Sequence, residues 1–301
     1  MGILAKGDLV DVVAPSYGDF NISKKNIESF FYELGLRVRI SDNLQKKSAD
    51  FFSAHDLETR ASNFIEAMLS EDSKAVWCLR GGYGAAKMLH ILDRVDFSKE
   101  TKPIIGYSDI TALHIYFSSK YKSKTIHGRT ISDYLSKEVH KSELNNMTKI
   151  LFDNGYSLKL ERLDELEIAG KIQSEIIGGN LTLIESSLGT NWQINAKDKI
   201  LIIEEAFEQR YRVDRSLEHL YQAGVFDGVT AVIFGNISYE EDRKYQKGSA
   251  DKKDFVLQNL VKKLRVPVYH TNEIGHGETN NPIIFGSVCN IENSFLNQQV
   301  L

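Results

Sequence analysis

Residues 103–114 (PIIGYSDITALH) place a serine where a nucleophile could stand. The pattern predicts a strand that ends at Gly106 and a helix that begins at Ser108. Ser108 would then lie at the carboxyl end of a parallel strand, where the helix N-terminus turns backbone N–H groups toward developing negative charge. The alternative is an ordinary N-cap. The nucleophile elbow G-x-S-x-G of α/β-hydrolases is incomplete, because Ile110 stands at its second glycine.

A glycine-rich turn at residues 80–84 (RGGYG) follows the apolar run AVWCL. Glycines let backbone amides approach an anionic oxygen closely, so this turn could hold an anion or a developing oxyanion. It does not fit the dinucleotide pattern G-x-G-x-x-G, because Lys87 stands at the third glycine, and no phosphate-binding G-x-x-x-x-G-K-[ST] occurs. The alternative is a tight turn between a strand and a helix.

Two acids and a histidine could supply the base that a serine nucleophile needs. The apolar run KILII leads into Glu204 and Glu205. Adjacent side chains at a strand end point to opposite faces, so only one of these carboxylates can orient a given histidine. The alternative is two ordinary surface acids. Of eight histidines, His276 is the strongest candidate base, because it lies between two glycines in a loop able to present its imidazole to a cleft. His127 is the second.

Ser108, Glu204 and His276 form a Ser–acid–His set in chain order. Such triads are recognised by geometry and roles rather than by sequence position. The serine belongs to the first half of the chain and its partners to the second, so catalysis would depend on how the halves pack. No H-E-x-x-H or other metal-ligand spacing occurs, and we expect neither a metal nor another cofactor.

The elements that must position these residues change character along the chain. Over residues 8–121 short strands alternate with amphipathic helices, which predicts a parallel sheet with helices on both faces. Residues 135–170 are charged and poorly periodic, so we predict a boundary there between domains 1–150 and 151–301. The second domain is predicted to be α+β and richer in strand. Its predicted strands are 171–177, 199–203, 229–234, 266–269 and 283–291, and its helices 180–188, 213–222 and 255–264. The charged segment 239–254 is predicted to be a solvated loop.

Composition excludes several kinds of partner. The 301 residues carry 37 Lys or Arg against 41 Asp or Glu, a net charge of −4, so we expect no nucleic acid partner. Cys78 and Cys289 lie far apart and outside any C-x-x-C spacing, which excludes a disulfide framework. No apolar run approaches the ~18 residues of a membrane span, and no targeting segment is visible, so we expect no membrane partner and a cytoplasmic location.

Short blocks along nearly the whole chain resemble, in order, the signature blocks of the LD-carboxypeptidase serine peptidases. This family includes the murein tetrapeptide carboxypeptidases and the microcin C self-immunity peptidases. Each block is weak alone, but the joint pattern is specific. The blocks are Val13-Ala14-Pro15-Ser16, Arg80-Gly81-Gly82-Tyr83-Gly84, Gly106-Tyr107-Ser108-Asp109, His127-Gly128, Gly178-Gly179-Asn180-Leu181 with Gly189-Thr190, Glu204 with Tyr211-Arg212-Val213-Asp214-Arg215, and Gly275-His276-Gly277.

The resemblance implies a Rossmann-like N-terminal domain with the nucleophile, a partly β-barrel C-terminal domain with the acid and base, and a homodimer. It maps the nucleophile to Ser108, the acid to Glu204 and the base to His276. It places the oxyanion hole at the backbone amides of Asp109 and of the glycine turn, where we choose Gly82. Two residues depart from the family pattern. Arg129 stands where proline is usual, and Glu205 stands where Asp is usual, which leaves open which glutamate is used.

The implied reaction is hydrolysis of the bond to a C-terminal D-amino acid, such as the D-alanine of murein tetrapeptide in peptidoglycan recycling. The substrate is a small peptide with a free carboxylate, which arginine's forked donors suit. The candidates are Arg80, Arg129, Arg212 and Arg215. Two alternatives remain: an immunity-type peptidase that cleaves a peptidyl-nucleotide antibiotic, and a non-catalytic module that binds an anion.

Overall fold

The computed structural model describes residues 2–19, 21–41, 44, 53–100, 102–136, 139–153, 155–167, 170–240 and 254–298. Its strands are β1 (Leu9–Val13), β2 (Arg37–Ile40), β3 (Ser73–Cys78), β4 (Ile104–Gly106), β5 (Thr125–His127), β6 (Ser157–Lys159), β7 (Glu161–Arg162), β8 (Ile172–Asn180), β9 (Lys199–Glu208), β10 (Ala231–Tyr239), β11 (Val268–His270), β12 (Ile283–Phe285), β13 (Val288–Glu292) and β14 (Phe295–Gln298). Its helices are α1 (Lys24–Glu33), α2 (Leu57–Leu69), α3 (Ala85–Leu92), α4 (Thr111–Tyr121), α5 (Ile131–Ser136), α6 (Lys141–Phe152), α7 (Leu181–Ser187), α8 (Arg210–Gln222) and α9 (Phe255–Val261).

The first sheet has the strand order β12-β5-β4-β3-β1-β2. Its strands β1 to β5 are parallel, as the alternating pattern predicts, and the mixed α/β fold is confirmed. The sixth strand, β12, comes from near the end of the chain and pairs antiparallel with β5.

The prediction of one strand over residues 283–291 is wrong. The chain turns at Gly286, which adopts a left-handed φ of 78°. A Cβ at this position would lie 3.1 Å from the carbonyl oxygen of Ser123, so glycine is needed for the close approach. Before the turn, β12 joins the first sheet; after it, β13 joins the second.

The second sheet has the strand order β6-β14-β13-β8-β9-β10-β11-β7. Its two edge strands, β6 and β7, are consecutive in the chain and separated only by Leu160. One short segment therefore pairs with β14 on one side and with β11 on the other, which curls the sheet into a barrel. The strand-rich second half is confirmed.

The charged stretch 135–170 contains a helix that the sequence analysis did not predict. Helix α6 buries Met147, Ile150 and Leu151, an apolar stripe at helical spacing among polar neighbours. Its first turn is closed by a capping box between His140 and Glu143. The boundary at residue 150 stays a prediction, and most of the charged segment 239–254 lies outside the described residues.

Helix α4 is the element that positions the candidate nucleophile. Its residues 111–117 are all buried, so the helix is enclosed on every side rather than on one stripe. It packs against α3 on the side of the first sheet and against α7 and β8 of the second half. None of the helices in the described part of the chain combines the length and the hydropathy that a membrane span needs.

Candidate active site

Ser108 occupies a strained turn between β4 and α4. Its φ of 63° lies in the left-handed region, which residues with a side chain rarely adopt. The following residues form a 3-10 turn, Ser108–Ile110, that runs directly into α4. The serine is not a side-chain cap, and within the described part of the chain its hydroxyl makes no hydrogen bond. A strained turn that presents a free hydroxyl is the geometry of a nucleophile elbow, although the second glycine is missing.

The glycine turn lies against this serine. A Cβ on Gly81 would come within 3.0 Å of the Ser108 Cβ, and one on Gly82 would come within 2.3 Å of the Tyr17 ring. Gly82 also has a φ of 118°, so the turn requires glycine for both conformation and space. The backbone N–H of Gly82 donates to no described group, and the Asp109 N–H lies in the first turn, where helical partners are lacking.

The side chain of Asp109 ties the two turns together. Its Oδ2 accepts hydrogen bonds from the Ser16 hydroxyl at 2.5 Å and from the Ala85 N–H at 2.8 Å. Burial raises the pKa of this carboxyl, and the two hydrogen bonds oppose that rise. The contacts fix the glycine turn relative to Ser108, so both candidate oxyanion amides belong to one rigid unit.

Glu204 and His276 form a pair in the second half of the chain, with the acid buried and the histidine partly exposed to the cleft. The Nδ1 of His276 lies 2.7 Å from Oε2 of Glu204, whose side chain is 0% exposed. A Cβ on Gly275 would lie 2.7 Å from the same oxygen, so glycine lets the histidine loop approach the acid. Burial opposes charge on both groups, but their attraction prevails: it lowers the pKa of Glu204 and raises the pKa of His276.

The side chain of Glu205 lies on the opposite face of β9 from that of Glu204. Its carboxylate accepts hydrogen bonds from the Asn180 side chain at 2.8 Å and from the N–H and hydroxyl of Thr182 at 3.0 and 2.7 Å. Burial and the neighbouring Glu204 charge raise its pKa. The prediction that the strand ends before the two acids is wrong, because β9 continues to Glu208 and both carboxylates are buried. Of the two acids, only Glu204 is hydrogen-bonded to His276.

Ser108 and His276 line the same cleft, which has a volume of about 410 Å³. The Tyr107 ring contacts the imidazole, with 4.7 Å between ring centroids and 45° between the ring planes. Within the described residues no hydrogen bond joins the serine hydroxyl to the imidazole. Catalytic hydrogen bonds in ligand-free enzymes are often long and shorten in the complex. The structure thus brings the three predicted residues to one site, with the serine and the imidazole still apart.

The four candidate arginines differ in their position relative to the cleft. Arg80 lines the cleft beside the serine, half-exposed, with its guanidinium 3.8 Å from Asp19. Arg129 is buried and paired with Glu143. Arg212 and Arg215 lie on α8 near the Tyr211 ring and do not line this cleft.

Sequence reasoning missed several polar residues of the cleft, because single polar residues in loops and on the short helix α5 carry no spacing signal. They are Asp19, Asn21, Thr130, Ser132, Asp133 and Ser136. The second candidate histidine, His127, does not line the cleft. It is buried with its ring edge toward Tyr107, and burial lowers its pKa to about 4, so it is neutral at pH 7. Among the described residues, no group of three His, Cys, Asp or Glu side chains is placed to hold a metal ion.

Comparisons with known proteins match both halves of this chain to the same family. Residues 10–128 match the model of the LD-carboxypeptidase N-terminal domain, and residues 173–291 match that of its C-terminal domain. A candidate carboxypeptidase of Rickettsia conorii is 35% identical over 92% of this chain and 86% of its own. The murein tetrapeptide carboxypeptidase of Pseudomonas aeruginosa is 27% identical over 81% of each chain.

Solved structures share the fold. The muramoyltetrapeptide carboxypeptidase of Oxalobacter formigenes superposes with a TM-score of 0.81 at 23% identity, over 97% of this chain and 98% of that one. An MccF-like protein from Bacillus anthracis gives a TM-score of 0.83 at 21% identity, over 99% of this chain and 98% of that one. With both domain models matched and a relative at 35% identity, the chain belongs to the LD-carboxypeptidase family.

Proposed function

We propose that this protein is a serine carboxypeptidase that hydrolyses the bond between an L-centre and a C-terminal D-amino acid. The observation that carries the proposal is the 2.7 Å contact between His276 and the buried Glu204, in the same cleft as a strained Ser108. A histidine held by an acid in the same cleft as a free serine hydroxyl is the set of groups that activates a serine.

The reaction proceeds through an acyl-enzyme. Glu204 accepts a hydrogen bond from the Nδ1–H of His276, which leaves Nε2 unprotonated and able to take the proton of Ser108. The serine oxygen bonds to the scissile carbonyl carbon, and the oxyanion is stabilised by the amides of Gly82 and Asp109. Collapse of this intermediate breaks the C–N bond, and His276 returns the proton to the leaving nitrogen. Water then hydrolyses the ester by the same steps in reverse order.

Arg80 is the arginine that we assign to the substrate carboxylate. It lies in the cleft beside the serine, and its half-exposed guanidinium is accessible to a substrate carboxylate. The buried Arg129 already binds a carboxylate and two carbonyls of its own chain. A forked guanidinium next to the nucleophile would place the last residue of a peptide with its scissile bond over Ser108.

Murein tetrapeptide is the substrate that we favour, with release of D-alanine in cytoplasmic peptidoglycan recycling by a homodimer. Two relatives are named for this class of substrate: the Pseudomonas enzyme, and a probable murein peptide carboxypeptidase of Bacillus subtilis that is 29% identical over 91% of this chain and 85% of its own. The structures of MccF bound to nucleotide-peptide analogues are 21% identical, which supports the fold and leaves a peptidyl-nucleotide as the alternative substrate.

The test is D-alanine release from murein tetrapeptide by the wild type, Ser108→Ala and Ser118→Ala. Ser118 lies on α4, the helix that follows Ser108, where its hydroxyl donates only to the Ile115 carbonyl, so its loss should leave the rate unchanged. Loss of Ser108 should lower kcat at least about 10³-fold.

Two other results would support a different function for this protein. Cleavage of a peptidyl-nucleotide, with murein peptide untouched, would indicate the immunity-type activity. Binding of either peptide with equal affinity by the wild type and Ser108→Ala, without turnover, would indicate a binding module.

A further inference from the structure

The loop that carries His276 has no regular secondary structure, so side chains must hold its backbone. On one side of the histidine, the Gly275 N–H donates to the Asn280 Oδ1 at 2.8 Å. On the other side, the carbonyls of Gly277 and Glu278 accept from Nη2 of Arg129, at 3.4 and 2.9 Å. The imidazole is thus held between two contacts, one of which comes from the first half of the chain.

Arg129 reaches this loop as one member of a buried ion pair. Its Nε donates to Oε2 of Glu143 at 2.7 Å, and its Nη2 lies 3.4 Å from Oε1. The two side chains are 5% and 0% exposed. The Trp77 indole donates to the carbonyl of Arg129 at 3.0 Å, which fixes the backbone from which the guanidinium extends.

Glu143 contacts the histidine loop as well. The Asn280 N–H donates to its Oε2 at 2.8 Å, while its Oε1 accepts from the His140 N–H at 3.3 Å and caps helix α6. A continuous set of contacts therefore runs from α6 through Glu143 and Asn280 to Gly275. The carboxylate and the guanidinium hold the loop at different points, and neither lines the cleft.

A buried ion pair is a costly way to stabilise a fold, because desolvation offsets much of the attraction. Apolar side chains of similar volume would serve stability equally well, but they could not bind the loop carbonyls and the Asn280 amide. The polar pair is therefore best explained by the geometry that it imposes on the loop.

We propose that Arg129 and Glu143 are positioning residues that hold the His276 loop, so that the imidazole stays against Glu204 and turned toward Ser108. The inference deepens the proposed function and rests on it for its kinetic part. Neither side chain touches the substrate, so both act through His276.

The experiment compares Arg129→Met with Arg162→Met in the full chain. Arg162 is the matched control: its forked pair with Asp164 lies on the barrel, bonded at 2.6 and 2.5 Å, and it also binds a backbone carbonyl. We expect Arg129→Met to lower kcat for D-alanine release about 10–100-fold with KM within about threefold, because a displaced base costs rate rather than binding. Arg162→Met should leave both constants unchanged and lower only Tm.

A second readout does not require turnover. NMR titration of the His276 imidazole should give a pKa closer to that of free histidine in Arg129→Met than in the wild type, because the imidazole leaves the carboxylate of Glu204. If the wild type releases no D-alanine, the proposed function fails while this titration still decides the positioning role. Unchanged kcat and unchanged titration with a lowered Tm would overturn the proposal and leave a purely structural pair.

Should Arg129→Met fail to fold, Glu143→Gln and Arg129→Lys replace it. Lysine keeps the charge without the fork, so we expect partial recovery of kcat and an intermediate titration. Activity equal to wild type in both variants would again contradict a positioning role.

Discussion

Glu204 and Glu205 are neighbours in sequence, but the pleat of β9 points their side chains to opposite faces of the strand, where they make different contacts. Glu204 is hydrogen-bonded to the imidazole of His276, whereas Glu205 accepts hydrogen bonds from Asn180 and Thr182 at the start of α7. Both are buried, so each carboxylate depends on the donors that it finds there.

Replacing each acid by its amide separates these tasks. Glu204→Gln cannot hold the required tautomer of His276, so we expect kcat to fall about 10³–10⁴-fold. Glu205→Gln leaves an amide facing donors of Asn180 and Thr182, so we expect the free energy of unfolding to fall by about 1–3 kcal/mol, with kcat within tenfold. Steady-state kinetics and urea unfolding measure the two effects, and a reversed pattern would reassign the acid to Glu205.

The pH dependence follows from the raised pKa of His276. Burial opposes its charge, but attraction to Glu204, together with the more distant charges of Glu205 and Asp133, raises the pKa above its ordinary value of 6.5. The base must be neutral to accept a proton, so kcat/KM should fall as the pH drops through this raised pKa. In Glu204→Gln the acid limb should move to lower pH. A limb that stays in place would mean that another group titrates.

At the scale of elements, the glycine turn and the serine turn act as one unit. Gly81 lies against Ser108, Gly82 lines the same cleft, and crowding by Tyr17 leaves no room for a side chain at Gly82. A left-handed φ and a lack of space are separate requirements for glycine, because other glycines with a left-handed φ lie in open space.

Gly82→Ala and Gly189→Ala test this difference. Both glycines have left-handed φ values, 118° and 74°, but a Cβ at residue 189 would meet nothing within 4 Å. We expect Gly82→Ala to lower kcat about 10²–10³-fold, the loss typical of one oxyanion donor, and Gly189→Ala to keep the wild-type rate. Equal kinetics in the two variants would exclude Gly82 from the oxyanion hole.

At the scale of the whole molecule, the two halves of the chain share their apolar cores. Adjacent residues of β3, Val76 and Trp77, belong to two separate clusters, and so do Ile202 and Ile203 of β9. Each cluster thus takes side chains from both sheets, and β12 completes the first sheet from the far end of the chain. The site lies where the halves meet.

Shared cores predict cooperative unfolding. The chain has two tryptophans, Trp77 in the first sheet and Trp192 in the second half, so Trp77→Phe and Trp192→Phe each leave one fluorescent probe. We expect the two probes to report the same urea midpoint once each variant's own stability is measured by circular dichroism. Separate midpoints would mean that the predicted domains 1–150 and 151–301 unfold independently.

The sequence by itself determined the alternating strands and helices, the strand-rich second half and the three residues of the candidate triad, because these follow from local periodicity, turn chemistry and family blocks. It could not decide between Glu204 and Glu205, choose Arg80 among four arginines, or place residues 283–285 in the first sheet. Those outcomes depend on contacts between distant segments, such as His276 with Glu204, which are 72 residues apart. Only the tertiary structure distinguishes these residues by their contacts, since the surroundings of a carboxylate, a guanidinium or a strand are set by the partners that packing brings to it.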